Sequence, residues 1–204
     1  LNLGEAHFER SEYDEARQAY EEAIALRPDS DVAWTNLAVL RERRGDRSGA
    51  EDAYRQAIAL QPGSHEARSR LGRILLDRGR SAEAIAMLRQ SLSIKPSPIA
   101  LVNLGVARRA VGDLLEAERL MKAALRLDPE YVEAHVNAAI LRAMRGMATQ
   151  DTLLRAQLLH ESTELFEAVF VRQPGHRDAL VNLAGVYQAA RRHHEAGEGY
   201  AQLV

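Results

Sequence analysis

Cysteine is absent from the 204-residue sequence, which excludes disulfide bonds and thiol catalysis. Aromatic residues account for only 5% of the chain. No run of about 18 apolar residues occurs, so we expect no membrane-spanning helix. Lack of cysteine is compatible with both the cytoplasm and the periplasm, and we favour the cytoplasm. Lysine is rare as well, with Lys95 and Lys122 against 25 arginines, an excess that favours a GC-rich bacterial source.

Motifs of the common catalytic and metal sites are also missing. The sequence has no glycine-rich phosphate loop, no nucleophile elbow and no H-E-x-x-H pair, and its seven histidines are scattered. We therefore predict no enzymatic activity, no cofactor and no metal site. A net charge of −2 and the few aromatic residues argue against nucleic acid as a partner. With 46% hydrophobic residues, the chain is nevertheless long enough to bury a sizeable core.

Prolines reveal an internal repeat. Five of them follow one another at intervals of 34, 34, 33 and 45 residues: Pro28, Pro62, Pro96, Pro129 and Pro174. Between them, a leucine followed by a small residue recurs in a first predicted helix, as in Leu37-Ala38, and an alanine such as Ala50 opens a second. The small residues allow the two helices to approach closely. Proline then ends the second helix, because it lacks the N–H that would continue it.

A break separates the two predicted helices of each repeat. Glycine is suited to the left-handed turn required there. The break glycines are Gly45, Gly79, Gly112 and Gly146. Ser11 and Arg191 replace glycine in the first and last repeats, so these two turns are less well specified. Asp113 and Glu116 have the spacing of a capping box at the start of a second helix.

This pattern resembles the tetratricopeptide repeat (TPR) family. The 34-residue period, the signature Trp34-x-x-Leu37-Ala38, the alanines and the prolines all match. The resemblance implies an all-α fold, a right-handed superhelical solenoid of antiparallel helix pairs that forms one domain over residues 1–204. Six repeats are expected, at 1–30 (partial), 31–64, 65–97, 98–131, 132–176 (with an 11-residue insertion) and 177–204 (partial).

An asparagine usually precedes the leucine of each first helix. On a helical wheel it lies about 100° from that core-facing leucine. The resemblance places this side of the helix on the concave groove of the solenoid, and we call it the groove stripe; in the fourth repeat it consists of Ile99, Asn103, Val106 and Ala110. An amide can donate to and accept from a peptide backbone. The predicted peptide-binding residues are Asn2, Asn36, Arg70, Asn103, Asn137 and Asn182, with Val102, Val106, Val136, Ile140 and Val181 beside them.

Two interpretations of the asparagines stay open. Their row resembles the inner surface of O-GlcNAc transferases, where asparagines in equivalent places hold peptide substrate. Alternatively, asparagine is common in this slot across the TPR family and bonds to neighbouring helices. Several β-branched residues next to the asparagines favour the ligand, because solvated helix faces rarely carry so many.

Charged residues replace this pattern in the third repeat. The groove stripe of the third repeat consists of Glu66, Arg70, Arg73 and Asp77. These residues form two i,i+4 pairs, and we favour a self-neutralised face over contact with an anion. A carboxylate clamp for chaperone C-termini is rejected for the first three repeats, because Leu1 and Glu5 stand where lysine and asparagine are required.

Arginines gather at the ends of the first helices, along one predicted rim. They are Arg41, Arg43, Arg44, Arg78, Arg80, Arg108, Arg109, Arg142, Arg145, Arg191 and Arg192. Compensation of the helix dipoles at their C-termini is a sufficient reason for this placement. An acidic partner along the rim is the less favoured interpretation.

The fifth repeat is 11 residues too long. Eleven residues make about three helical turns, and no proline or glycine interrupts residues 150–172. We therefore predict that its second helix projects beyond the rim, with Thr149 or Asp151 as its cap, rather than folding back as a separate short helix. The leucines of the projection form a predicted second binding surface: Leu153, Leu154, Leu158 and Leu159.

The favoured function is a non-catalytic scaffold that binds a protein or an extended peptide in the groove. One alternative is the substrate-recognition arm of a larger enzyme, such as an O-GlcNAc-type glycosyltransferase. Another is self-association, with the open ends of the solenoid stacking on each other. We also expect the last repeat to be the least stable, with the fastest hydrogen exchange over residues 193–204.

Overall fold

The structure, a computed structural model, describes residues 1–190. In this part of the chain it contains eleven α-helices and no strand: α1 (Asn2–Glu9), α2 (Tyr13–Leu26), α3 (Asp31–Arg43), α4 (Arg47–Leu60), α5 (His65–Asp77), α6 (Ser81–Ile94), α7 (Pro98–Ala110), α8 (Leu114–Leu127), α9 (Val132–Ala148), α10 (Thr152–Arg172) and α11 (Arg177–Ala189). The predicted all-α fold class is confirmed. The turn at Arg191 and the predicted weak segment 193–204 lie outside the described residues.

Two compact units divide the chain, an N-terminal unit of Leu1–Pro96 and a C-terminal unit from Ser97 onward. In the N-terminal unit the hairpins α1–α2, α3–α4 and α5–α6 stack, with α2 on α3 and α4 on α5. In the C-terminal unit α7–α8 stacks on α9–α10, and α11 packs on α10 and α9. Each core arises from this stacking, because a helix pair cannot bury its apolar face alone. The single continuous solenoid stays a prediction.

Positive φ angles follow the first helices of three hairpins, as predicted. Gly45, Gly79 and Gly112 have φ values of 78°, 73° and 83°, a region that favours glycine. Ser11 takes the equivalent place with a φ of 62°. The predicted break at Gly146 is wrong, because α9 continues through this buried glycine to Ala148.

Side-chain caps begin most of the helices. The hydroxyls of Ser30, Ser64 and Ser97 accept hydrogen bonds from the N–H groups three residues further on, at 3.2 to 3.3 Å. The carboxylates of Asp46 and Asp113 do the same for α4 and α8, at 2.9 and 3.2 Å. These bonds satisfy N–H groups that have no partner within the helix. The Asp113 half of the predicted capping box is therefore present.

Close helix approach within a hairpin depends on small residues, as the repeat pattern predicted. A β-carbon added to Gly4 would lie 2.5 Å from Cε1 of Tyr20, and one added to Gly72 would lie 2.6 Å from Cγ of Leu88. Tyr20 and Leu88 are both buried. No side chain fits between these helices without displacing a packed neighbour.

We expect Gly72→Ala to lower the free energy of unfolding by about 1–2 kcal/mol, because Leu88 must leave a packed position. Gly185→Ala is the matched control, since no described atom lies within 4 Å of a β-carbon added there. Alanine is the better helix former, so this control is expected to stabilise the protein by about 0.5–1 kcal/mol. Chemical denaturation measures both effects, and destabilisation by both or by neither contradicts the packing argument.

Both helices of the fifth repeat share the insertion. α9 has 17 residues, whereas α3, α5, α7 and α11 each have 13. α10 has 21 residues, whereas α2, α4, α6 and α8 each have 14. The excesses of four and seven residues account for the 11 inserted ones. Asp151 caps α10, as one of the two predicted candidates, by accepting hydrogen bonds from the N–H groups of Leu153 and Leu154.

The extra turn of α9 covers part of the predicted second binding surface. Leu158 and Leu159 are only 5% and 4% exposed. A β-carbon added to Gly146 of α9 would lie 3.2 Å from both. The prediction that they form a binding surface is therefore wrong, because α9 lengthens together with α10 and packs against them. Leu153 and Leu154 remain exposed, by 82% and 38%.

Candidate functional site

The asparagine slot lies on a partly exposed face of the first helices in each unit. All five asparagines of the sequence occupy it. Asn36 and Arg70 are half-buried in the N-terminal unit, as are Asn103, Asn137 and Asn182 in the C-terminal unit, whereas Asn2 is exposed. The leucine and the small residue that follow the slot in α3, α7 and α11 are buried. The asparagines therefore lie outside the core.

Only the amide nitrogens of these asparagines make hydrogen bonds within residues 1–190. Nδ2 of Asn36 donates to Oε1 of Glu5 in α1 at 3.0 Å. Nδ2 of Asn137 and of Asn182 donates to the backbone carbonyl four residues earlier, at 2.8 and 2.6 Å. Asn103 makes no side-chain hydrogen bond in the same part of the chain. The bond from Asn36 to a neighbouring helix agrees with the structural interpretation. The side-chain oxygens of all five asparagines accept no hydrogen bond within residues 1–190.

The valines beside the asparagines do not all face the groove. Val102 and Val136 are only 5% and 6% exposed. Val136 belongs to a core cluster that includes Ala179 and Leu183 of α11. Val102 and Val136 therefore offer no surface to a ligand, contrary to prediction, because neighbouring first helices pack on each other there. The equivalent Val181 is 51% exposed.

Two other predicted contacts lie on the accessible face. Val106 and Ile140, each three residues after an asparagine, are half-buried. They place apolar surface next to Asn103 and Asn137. The C-terminal unit thus combines amide oxygens with partly exposed aliphatic side chains on the same stripe.

Glu42 of α3 is at the centre of a charge cluster in the N-terminal unit. Its carboxylate accepts a hydrogen bond from the Tyr54 hydroxyl at 3.0 Å, pairs with Arg73, and has its Oε2 3.8 Å from Nη1 of Arg70. Nε of Arg70 also lies 3.1 Å from Oε1 of Glu66. Burial and the charge of Glu42 raise the pKa of Tyr54 well above its ordinary value. This face is therefore self-neutralised, which is the interpretation that we favoured.

Sequence reasoning found the pairs on α5 but missed Glu42. The predicted i,i+4 pair of Arg73 and Asp77 is present at 3.6 Å, yet the acceptor that joins Arg70 to Arg73 comes from the preceding repeat. One feature of the sequence could have indicated Glu42. It is a charged residue at a repeat position that is apolar in the first and third repeats, where Phe8 and Leu76 stand.

Most of the rim arginines that form ion pairs do so with one of two largely buried carboxylates, Glu51 and Glu118. Glu51 of α4, with a side chain 3% exposed, pairs with Arg55, Arg78 and Arg80. Burial raises the pKa of Glu51, while hydrogen bonds from Arg80 and Arg55 and their charges lower it further, so that it lies below its ordinary value. These contacts tie α4 to the end of α5. Sequence reasoning did not identify them.

Glu118 has the same role in the C-terminal unit. Its side chain is 11% exposed and lies 2.8 Å from Nη1 of Arg142 and 2.7 Å from Nη1 of Arg145. Nε of Arg142 also lies 2.8 Å from Oε2 of Glu161 on α10. Dipole compensation is therefore not the whole reason for these rim arginines, because they connect helices of neighbouring repeats.

The described residues form neither a metal site nor a membrane-spanning helix. No group of three or more histidine or acidic side chains is placed to hold a metal ion in residues 1–190. Among the eleven described helices, none is both long and apolar enough to cross a membrane. The groove stripes are thus the surfaces on which a functional argument rests.

Sequence profiles place the chain in a family. A tetratricopeptide repeat profile matches residues 35–97 and 102–149, and a second TPR repeat profile matches residues 4–45. The chain belongs to the tetratricopeptide repeat family, whose members typically are protein-interaction scaffolds. No curated protein sequence matches it significantly.

Solved structures share the fold at low sequence identity. PilW, a widely conserved type IV pilus biogenesis factor, matches with a TM-score of 0.83 and 24% identity over 99% of this chain and 89% of its own. YrrB, a TPR protein with an unusual peptide-binding site, matches with a TM-score of 0.63 and 21% identity over 91% of each chain. Human IFIT1, solved with PPP-AAAA, matches with a TM-score of 0.78 and 20% identity over 94% of this chain and 46% of its own.

Proposed function

We propose that this protein is a non-catalytic interaction module that binds an extended peptide segment of a partner along the groove stripes. The observation that supports this most is the set of amide oxygens at Asn103, Asn137 and Asn182 of the C-terminal unit. All three lie on the partly exposed stripe, and none accepts a hydrogen bond within residues 1–190.

The chemistry of this stripe suits a peptide backbone. Each free amide oxygen accepts from a backbone N–H, and a remaining amide N–H donates to a carbonyl. Val106 and Ile140 supply apolar contact beside Asn103 and Asn137. Contacts to the backbone depend little on ligand side chains, so we expect an extended segment to bind with broad sequence tolerance.

The likeness to YrrB agrees with this proposal, since the name of that structure states a peptide-binding site. The likeness to IFIT1 concerns the fold alone, and the acidic balance of the present chain favours a peptide over a nucleic acid. Attachment to a larger enzyme and self-association remain the alternatives. The full-length sequence decides the first of these, and light scattering over a concentration series decides the second.

We expect Asn103→Ala with Asn137→Ala to weaken binding of an extended peptide by roughly 1–3 kcal/mol, the scale of losing a few hydrogen bonds. The probes are peptides selected from a random library on the wild-type chain and titrated by fluorescence anisotropy. Thermal unfolding should change little, because both side chains lie outside the core.

The matched control removes two amides from exposed positions of second helices, Gln18→Ala with Gln56→Ala. This control should leave peptide affinity unchanged. Equal affinities of the wild type and the asparagine variant would reject the groove stripe as the binding surface.

A further inference from the structure

Two equivalent cavities open on the groove stripes of the N-terminal unit. The first, which we call the first-repeat pocket, has a volume of about 180 Å³ and is lined by Glu5, Phe8, Glu9, Tyr20, Asn36 and Val39. The second lies one repeat further on, measures about 400 Å³, and is lined by Val39, Glu42, Arg43, Arg70 and Arg73. Adding 34 to each number of the first set gives the second set, together with Tyr54. The repeat thus builds the same cavity twice with different side chains.

The second cavity receives arginines of the chain itself. Arg70 and Arg73 both reach the carboxylate of Glu42, and the same carboxylate accepts the hydrogen bond of the Tyr54 hydroxyl. Two guanidinium groups, one carboxylate and one phenol therefore meet there. This arrangement shows which chemistry the position between two first helices accommodates.

The first-repeat pocket has two carboxylates of its own and lacks the arginines. Asn36 and Val39 stand where Arg70 and Arg73 stand in the next repeat. The exposed carboxylates of Glu5 and Glu9 line the cavity instead. The charge of this pocket is therefore negative, whereas its counterpart is neutralised by its own chain.

The hydroxyl of Tyr20 faces this pocket without a hydrogen-bond partner among residues 1–190. Tyr20 is only 2% exposed, and its side chain lines the cavity. Its hydroxyl makes no hydrogen bond within residues 1–190, in contrast to the hydroxyl of Tyr54. Burial, and then the charge of Glu5, raise the pKa of Tyr20, in keeping with a carboxylate nearby. The hydroxyl oxygen is not among the buried unpaired atoms of the described residues, so it is accessible from the cavity and can bond to a ligand group or to water.

Aromatic and apolar groups complete the walls. The Phe8 ring is half-buried and packs against Tyr13, with ring centroids 5.9 Å apart. Val39 is half-buried on the opposite helix, α3. A ring held beside two carboxylates suits a planar cation, which stacks on the ring while it donates to the carboxylates.

We propose that the first-repeat pocket binds an arginine side chain of the peptide ligand, in the place that Arg70 and Arg73 take one repeat further on. This proposal rests on the proposed function, because it assigns the chemistry of one ligand residue. Glu5 and Glu9 supply the charge, the Tyr20 oxygen accepts an N–H, and Phe8 contacts the guanidinium plane.

The test titrates the full chain with labelled, terminally capped peptides of alanine that carry one arginine or, in its place, the uncharged isostere citrulline. The arginine peptide should bind at least about tenfold more tightly, the scale of one charge-assisted hydrogen bond. In the Glu5→Gln/Glu9→Gln variant the two peptides should bind alike. The matched control, Glu15→Gln with Glu21→Gln, changes the net charge equally at exposed positions of α2 and should keep the preference.

A second variant fills the pocket with side chains of the protein. Phe8→Glu, Asn36→Arg and Val39→Arg together place the equivalents of Glu42, Arg70 and Arg73 in the first cavity, and they should abolish the preference for arginine while the helix content is kept. Equal binding of the arginine and citrulline peptides to the wild type, or a preference that survives Glu5→Gln/Glu9→Gln, overturns the proposal.

The two proposals fail in different ways. If arginine is not preferred but the Asn103→Ala/Asn137→Ala variant still binds selected peptides more weakly, the pocket is rejected and the proposed function is kept. If selected peptides bind that variant and the wild type alike while arginine is still preferred over citrulline, the asparagine stripe is rejected as the backbone contact and the pocket is kept.

Discussion

Replacing Leu158 by alanine is expected to lower the free energy of unfolding by about 2–5 kcal/mol, the range for removing a buried leucine side chain. Leu158 is 5% exposed, and its Cβ lies 3.2 Å from the place where a β-carbon of Gly146 would stand. Because α9 approaches α10 closely at this glycine, the structure cannot collapse easily into the cavity that the substitution leaves. Because the surroundings can relax so little, we expect the loss of unfolding free energy to lie near the upper end of this range.

Leu153→Ala is the matched control, since Leu153 lies five residues earlier on the same helix and is 82% exposed. It should change the free energy of unfolding by less than about 0.5 kcal/mol. Repeat proteins unfold in steps, so hydrogen exchange of α9 and α10 is the measurement that assigns the loss to this hairpin. Similar effects of the two substitutions would show that Leu158 is not part of the core, and would restore the predicted projecting surface.

Removing the charge of Glu51 should have the second large effect. Glu51→Gln is expected to lower the free energy of unfolding by about 2–4 kcal/mol, somewhat less than for a fully buried pair, because the arginines are partly solvated. The side chain is 3% exposed, and it joins α4 to Arg78 and Arg80 beyond the end of α5. The amide keeps the volume of the carboxylate but leaves three guanidinium groups without their shared counter-charge.

Asp52→Asn provides the control on the neighbouring residue of α4, whose side chain is 75% exposed and 4.0 Å from Arg55. Exposed pairs of this kind contribute at most about 1 kcal/mol, so this variant should unfold almost as the wild type does. Equal stability losses in the two variants would mean that burial of Glu51 has no special role.

At acidic pH, the difference in unfolding free energy between the wild type and Glu51→Gln should disappear. The pKa of Glu51 is lower in the folded chain than its ordinary value of 4.5. The unfolded chain therefore takes up this proton first as the pH falls, and the stabilisation is complete above pH 4.5 and is lost as the pH drops through the folded pKa. Denaturation curves of the wild type and Glu51→Gln should converge in that acidic range. A constant difference at every pH would contradict the ion-pair origin.

The sequence by itself determined the local elements and the order of the helices. Asp113 and Asp151 indicate helix starts, and Gly45 and Gly79 indicate turns, because a cap or a positive φ depends on residues within one helical turn of each other. The position of each asparagine on a helical wheel, about 100° from the core-facing leucine, placed the slot outside the core for the same reason. Each of these signals is complete within a single repeat.

Only the tertiary structure decided which residues are buried or paired by neighbouring repeats. Val136 has the same local pattern as a groove residue, yet the packing of α9 on α11 buries it. Glu42 and Glu51 become acceptors because arginines some 30 residues away fold back beside them. The insertion was visible as 11 extra residues, but its division between α9 and α10 depends on which helix can cover Leu158 and Leu159. These contacts depend on the burial of apolar and charged groups between several helices. Their partners are distant in the sequence, so no short stretch of sequence contains all of them.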